Sequence, residues 1–197
     1  MKIFAIGAFA LTSLLATTAL PTAAAAQTAG PANPGPAIPG VCVYFNQQLL
    51  ATSTAGQSVQ TRMEQLATEV QGELQPYGTT IQAEIQRIQA GGATVTDADR
   101  QALQTRIQEA QQLEQTRENE LRYTLSEQRR QISAAVEPIL VAVYQERGCG
   151  ILIDRESVFI LNPAMDVTPL VIERLNAALP SLSFNRLTVP VQQPAAQ

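Results

Sequence analysis

Between residues 55 and 147 the apolar side chains keep a beat that a long α-helix satisfies. Val59, Met63, Leu66, Val70, Leu74, Tyr77, Ile81, Ile85 and Ile88 follow one another at spacings of 4, 3, 4, 4, 3, 4, 4 and 3, so each position recurs after eleven residues. Eleven residues span close to three helical turns, and a stripe of that period stays on one face without left-handed supercoiling. The beat resumes beyond Gly91-Gly92 in Leu103, Ile107, Ala110, Glu114, Arg117, Leu121, Leu125, Gln128, Ile132, Val136, Ile139 and Val143. Each arm offers one narrow apolar seam and a broad polar back, too little to fold alone. Folded back at the glycine pair, the two arms bury both seams. The chain is therefore expected to be mainly α with a small β part: a long antiparallel helical hairpin projecting from a short-stranded β body.

The arms carry their own punctuation. Pro76, with Gly72 and Gly78 beside it, and Pro138 each remove a backbone hydrogen bond inside a helix. Both are hinge candidates, against the alternative of defects tolerated on a solvent-facing side. The turn spans residues 90–95, and Thr96 is placed to cap the second arm, with Asp97 and Asp99 against its dipole. Glu114, Arg117 and Gln128 put polar groups on the second seam. They are expected to pair with one another or with the first arm, or else to leave the hairpin loosely zipped there. Glu118 with Arg122 reads as an ordinary i,i+4 pair on a solvated face.

The flanks read in order. Lys2, the apolar run over 3–20 and Ala24-Ala25-Ala26 make residues 1–26 a secretory signal peptide, the alternative being an uncleaved anchor. Residues 27–40, rich in proline and glycine, form a flexible leader. Residues 41–54 and 148–180 make the small body. In it, Val41-Cys42-Val43-Tyr44-Phe45 reads as a buried strand and 46–54 as a turn, with Ser53 or Thr54 capping the first arm. After Gly148, Ile151–Asp154 and residues 158–161 read as two strands around a tight turn. Thr168 in Asp166-Val167-Thr168-Pro169 reads as the cap of a last helix, with Leu170, Val171, Leu175 and Leu179 on one side. Residues 181–197 form a polar tail in which 184–187 hint at an edge strand.

Charge and composition exclude several classes of function. Once Lys2 is removed, the chain has twelve Arg and no lysine against seventeen Asp and Glu, a net charge of −5. That balance excludes a nucleic-acid partner, which requires a basic face. With no His, no Gly-rich phosphate loop and no nucleophile–base set, no catalytic, metal-binding or cofactor-binding residues are expected. Asp154, Glu156 and Asp166 are the nearest thing to an acidic cluster, and strand-end and cap roles explain the two aspartates better. Cys42 and Cys149 flank the hairpin. In an oxidising compartment the default is a disulfide clamping its base, worth roughly 4.7 kcal/mol for a loop of about 100 residues. The alternative is two separately buried thiols.

The order of short strand, long hairpin, the strand Ile151–Asp154 and the Asp166-Val167-Thr168 opening of a last helix resembles the Skp/OmpH family of periplasmic chaperones, over roughly residues 41–179. The resemblance implies a periplasmic homotrimer. The β parts of three chains would join into one body, and three hairpins would enclose a cavity that holds unfolded outer-membrane proteins. A body of a few short strands is indeed too small to bury a good core alone, and oligomerisation is one remedy. The arms depart from the basic character common in that family. Residues 57–147 carry nine Arg against thirteen Asp and Glu, a net of −4, which argues against electrostatic capture of anionic lipid or lipopolysaccharide. The competing reading is a structural coiled-coil or adaptor protein of the envelope that binds one folded partner.

Overall fold

A computed structural model describes residues 35–190. The expected signal peptide, most of the leader and the last seven residues of the tail lie outside that range. Two strands, β1 (Val41–Tyr44) and β2 (Ile151–Asp154), pair in parallel with Val41 opposite Ile151 and Tyr44 opposite Asp154. Parallel neighbours need a crossover. Here the crossover contains the whole hairpin: α1 (Asn46–Thr52), α2 (Thr54–Gly91) and α3 (Asp97–Glu146). The helix α4 (Thr168–Ala178) completes the body.

The hairpin follows the seam closely. α2 has 38 residues and α3 has 50, and both run unbroken through their prolines. A single 3₁₀ turn, Gly92–Thr94, reverses the chain, with Gly92 at φ +49°. A reciprocal capping box starts α3: the Thr96 hydroxyl accepts from the Asp99 N–H and the Asp99 carboxylate accepts from the Thr96 N–H.

Residues 46–54, read as a turn region unless the first arm starts nearer Asn46 to match the second, contain a separate helix α1 from Asn46, which brings the first arm close to the length of the second. The break between α1 and α2 is sharp. Ser53 Oγ accepts from the Gly56 N–H at 3.1 Å, and Gly56 lies directly on the backbone of Leu50. A Cβ at position 56 would fall far inside contact distance of the Leu50 carbonyl, so only glycine permits this elbow.

Two other expectations are corrected. Residues 158–161 form no strand. The Asp154 carboxylate accepts from the Glu156 N–H at 2.9 Å and the Arg155 guanidinium donates to the Val158 carbonyl, so the chain closes into a 3₁₀ turn at Arg155–Ser157. The following residues run as bends, with Phe159 97% exposed. Thr168 does not cap α4 with its side chain. Its hydroxyl accepts from the Phe45 N–H at 2.9 Å and ties α4 to the end of β1, while Asp166 supplies the cap by accepting from the Thr168 N–H at 2.8 Å.

The core gathers where α1, the hairpin base and α4 meet, around Leu49, Val59, Ile132, Val136, Val143, Val171 and Leu175. Cys42 and Cys149 lie within it and are joined as a disulfide, their Cα atoms 5.7 Å apart. The chain beyond α4, read as a polar tail, forms no edge strand at 184–187; it runs as coil along the hairpin, held by hydrogen bonds to both arms.

The elbow gives a first test. Gly56→Ala should lower stability by about 1–3 kcal/mol, the usual range for overpacking a closed contact. Urea unfolding of the variant against the wild-type chain measures it. Gly72→Ala, where an added Cβ meets nothing, is the control and should not destabilise.

Candidate functional site

The seam changes character along its length. Near the base it is closed: Val59, Leu66 and Val70 of α2 and Ile132, Val136 and Val143 of α3 are buried. Met63, Leu121, Leu125 and Ile139 are half-buried beside them. Towards the tip no residue of either arm is fully buried. Leu74, Ile81, Ile85, Ile88, Leu103 and Ile107 are half-buried, and Tyr77, expected in the seam, stands 41% exposed. Glu114 is exposed as well, and its neighbour Leu113 is half-buried in its place. The facing positions there are therefore Leu113, Arg117, Glu120, Thr124 and Gln128: Arg117 and Gln128 keep the expected beat, while Leu113, Glu120 and Thr124 face inward one residue ahead of Glu114, Leu121 and Leu125.

Ion pairs cross between the arms where apolar burial thins out. Arg87 meets Asp99 at 2.9 Å, Glu84 meets Arg106 at 2.6 Å, and Glu73 meets Arg117 at 2.7 Å. These run in antiparallel order from tip to base. At the inner end Arg117 also binds Glu120, whose side chain is only 6% exposed, at 3.0 Å. Arg186 from the C-terminal segment reaches the same two carboxylates, Glu73 at 2.8 Å and Glu120 at 3.1 Å. Hydrogen bonds from Arg186, with help from Arg117, hold the Glu73 carboxyl below its ordinary range. The pair Arg122–Glu118 is the exposed i,i+4 contact its spacing suggests.

A second apolar surface lies on the body. Tyr44, Val136, Leu140, Val141, Tyr144 and Leu152 help line a concavity of about 500 Å³. Val141, Ile151, Phe159 and Ile160 are largely exposed, an unusual concentration of apolar surface for so small a body. β2 pairs only with β1 among the described residues, so its other edge is open. Burial, with the charge of Asp154 adding to it, pushes the Tyr44 phenol up to about 12.

Neither surface carries the furniture of catalysis. Among the described residues no group of three or more His, Cys, Asp or Glu is placed to hold a metal ion. Asp154 and Asp166 are occupied in capping their own turns. Pro76 and Pro138 sit on exposed sides of their helices, and the Thr79 and Thr80 hydroxyls donate back to the carbonyls of Gln75 and Pro76. The arrangement presents long, partly open apolar seams beside paired charge, which suits holding another polypeptide rather than transforming it. The residues missed in the sequence are Leu113, Glu120, Thr124 and the segment 182–187. Only that segment carried a signal, the alternation of Leu182 and Phe184 with polar neighbours.

Comparison with known proteins agrees with this picture. Residues 40–175 match the model of the family described as outer membrane protein (OmpH-like). The chaperone protein Skp of Yersinia enterocolitica is 24% identical over 133 residues, covering 66% of this chain and 79% of that protein. The crystal structure of an OmpH-like outer membrane chaperone from Caulobacter crescentus superposes with a TM-score of 0.71 at 29% identity, covering 81% of this chain and 96% of that one.

The gradient along the arms should be measurable. Leu66→Ala, in the closed base, should cost about 2–5 kcal/mol, and Ile85→Ala, in the half-open outer seam, distinctly less. Denaturant titration of the two variants compares them directly.

The Tyr44 phenol gives a separate check. Its raised value means that its contribution to stability is complete below the ordinary value of 10.0 and is lost as the pH climbs through about 12. Subtracting the alkaline ultraviolet titration of Tyr44→Phe from that of the wild type should leave a single phenolate transition near 12.

Proposed function

The chain belongs to the OmpH-like family of outer membrane proteins, and from that premise we propose that it is a periplasmic holdase: it binds unfolded outer-membrane proteins and keeps them from aggregating on their way to the membrane. It is an Skp/OmpH-like chaperone and not an enzyme. The single observation that carries the finer reading is the outer half of the hairpin. There, apolar seam residues on both arms are only partly buried over many turns, and none reaches the full burial of Leu66 or Ile132 at the base. A surface of that kind makes many weak apolar contacts with an unfolded chain and commits to none of them.

The body supports an assembly of three. The open β2 edge and the exposed Val141, Ile151, Phe159 and Ile160 of the same body are costly surface to leave in water. Joining three bodies through it would cover the edge and set three hairpins around a shared space. Gly72, Pro76 and Gly78 within α2 and Pro138 within α3 would then let the arms bend to fit clients of different size. Residues 1–26 would direct export and be cleaved. With a net charge of −4 over residues 57–147, holding rests on apolar contact rather than on attraction to anionic lipid.

Light scattering of the mature protein should give three times the chain mass, and the protein should suppress aggregation of a urea-diluted outer-membrane β-barrel protein. Phe159→Asp should shift the mass to that of a monomer and weaken the suppression. A wild-type monomer, or no suppression by the trimer, overturns the reading.

A further inference from the structure

Residues 182–187 lie in the groove between the arms in the manner of a bound peptide. Burial alternates along them: Leu182, Phe184 and Arg186 turn inward, while Ser181, Ser183 and Asn185 face water. The groove holds the backbone of the segment at three points as well as its side chains. Ser58 Oγ accepts from the Leu182 N–H at 2.9 Å, Arg62 Nε donates to the Phe184 carbonyl at 3.0 Å, and Thr124 Oγ1 accepts from the Leu187 N–H at 2.9 Å. Contacts of that type accept many sequences, because every residue but proline offers the same N–H and C=O. Specificity comes from two features: half-buried apolar positions for Leu182 and Phe184, and a carboxylate pair, Glu73 and Glu120, that receives the Arg186 guanidinium.

The site does not depend on its present occupant. Arg117 binds both carboxylates from within the hairpin, so neither is left unpaired when Arg186 departs. Thr124 Oγ1 keeps its bond to the Glu120 carbonyl and Ser58 Oγ its bond to the Ala55 carbonyl. The segment itself forms no helix or strand, and it is joined to α4 by the coil at 179–181.

We propose that this groove is a binding site for extended polypeptide, selective for an arginine two residues after an aromatic or other large apolar side chain, and that the chain's own residues 182–187 fill it until a client segment displaces them. The proposal rests on the holdase reading for the identity of the competitor, but not for the existence of the site. Tethering puts the resident segment at a local concentration on the order of millimolar. Only a client that offers several such segments, or one held elsewhere on the arms, competes well.

The test uses the full chain and a fluorescein-labelled decapeptide with the sequence of residues 181–190. In Arg186→Ala the resident segment loses its ionic anchor, and anisotropy should show the peptide binding at least ten-fold more tightly than to the wild type. A peptide carrying alanine in place of its arginine should lose at least ten-fold in affinity for that variant. In the wild type, hydrogen exchange at the amides of Leu182 and Leu187 should speed up when unfolded β-barrel client is added. This reading also serves if the substitution disturbs folding. Equal, undetectable peptide binding by a fully helical Arg186→Ala, or unchanged exchange at both amides under saturating client, overturns the proposal. Aggregation suppression by the wild type in that case leaves the holdase reading standing. Peptide binding without any aggregation suppression supports the groove and sinks the holdase reading.

Discussion

Neither long helix can exist without the other. Each presents a stripe of apolar residues about one side chain wide and a polar remainder, and an isolated stripe of that width leaves half its area in water whichever way it turns. Pairing the two arms is what removes the stripe from solvent, and the antiparallel pairing in turn fixes everything at the base. It brings the start of α2 beside the end of α3, and so sets α1, α4, Cys42 and Cys149 around one small core. The strands contribute little to this: four residues each, paired among the described residues only with one another apart from a single bridge from Val43 to Asp166.

Burial is concentrated at one end of that pairing, and the consequence is a division of labour along the molecule. The base holds the fully buried apolar residues and behaves as a folded domain. The outer arms hold register through Arg87–Asp99, Glu84–Arg106 and Glu73–Arg117. Ion pairs at that exposure add little stability, but they set which residue faces which. Seam residues there are thus aligned without being sealed. A chaperone arm needs apolar surface that is ordered enough not to collapse on itself and open enough to be used.

What could be read from residues alone follows the same line. The hairpin was legible because a periodic stripe forty residues long leaves no other geometry, and its turn was marked by Gly91-Gly92 and by the Thr96–Asp99 box. The beat failed locally at Glu114, where the apolar Leu113 beside it takes the facing position and passes the phase to Glu120 and Thr124. Helix α1 was hidden by its shortness and by Phe45 at its cap, which offers no side-chain acceptor. Thr168 was misread for a different reason. A hydroxyl two residues after an aspartate is a local cap signal, but its actual partner, the Phe45 N–H, is 123 residues away. The C-terminal segment is the same case, since its alternation was visible and its groove was not.

The disulfide closes a covalent ring of the chain between Cys42 and Cys149, positions 107 residues apart, and both long helices lie wholly inside that ring. Gly92, in the turn between the two helices, is exposed and lies inside the same ring. A single cut there would divide the polypeptide without dividing the molecule. The two pieces would stay bonded at the base, with the core and the open β2 edge in place, until a reductant released them. A damaged arm would therefore remain an attached arm.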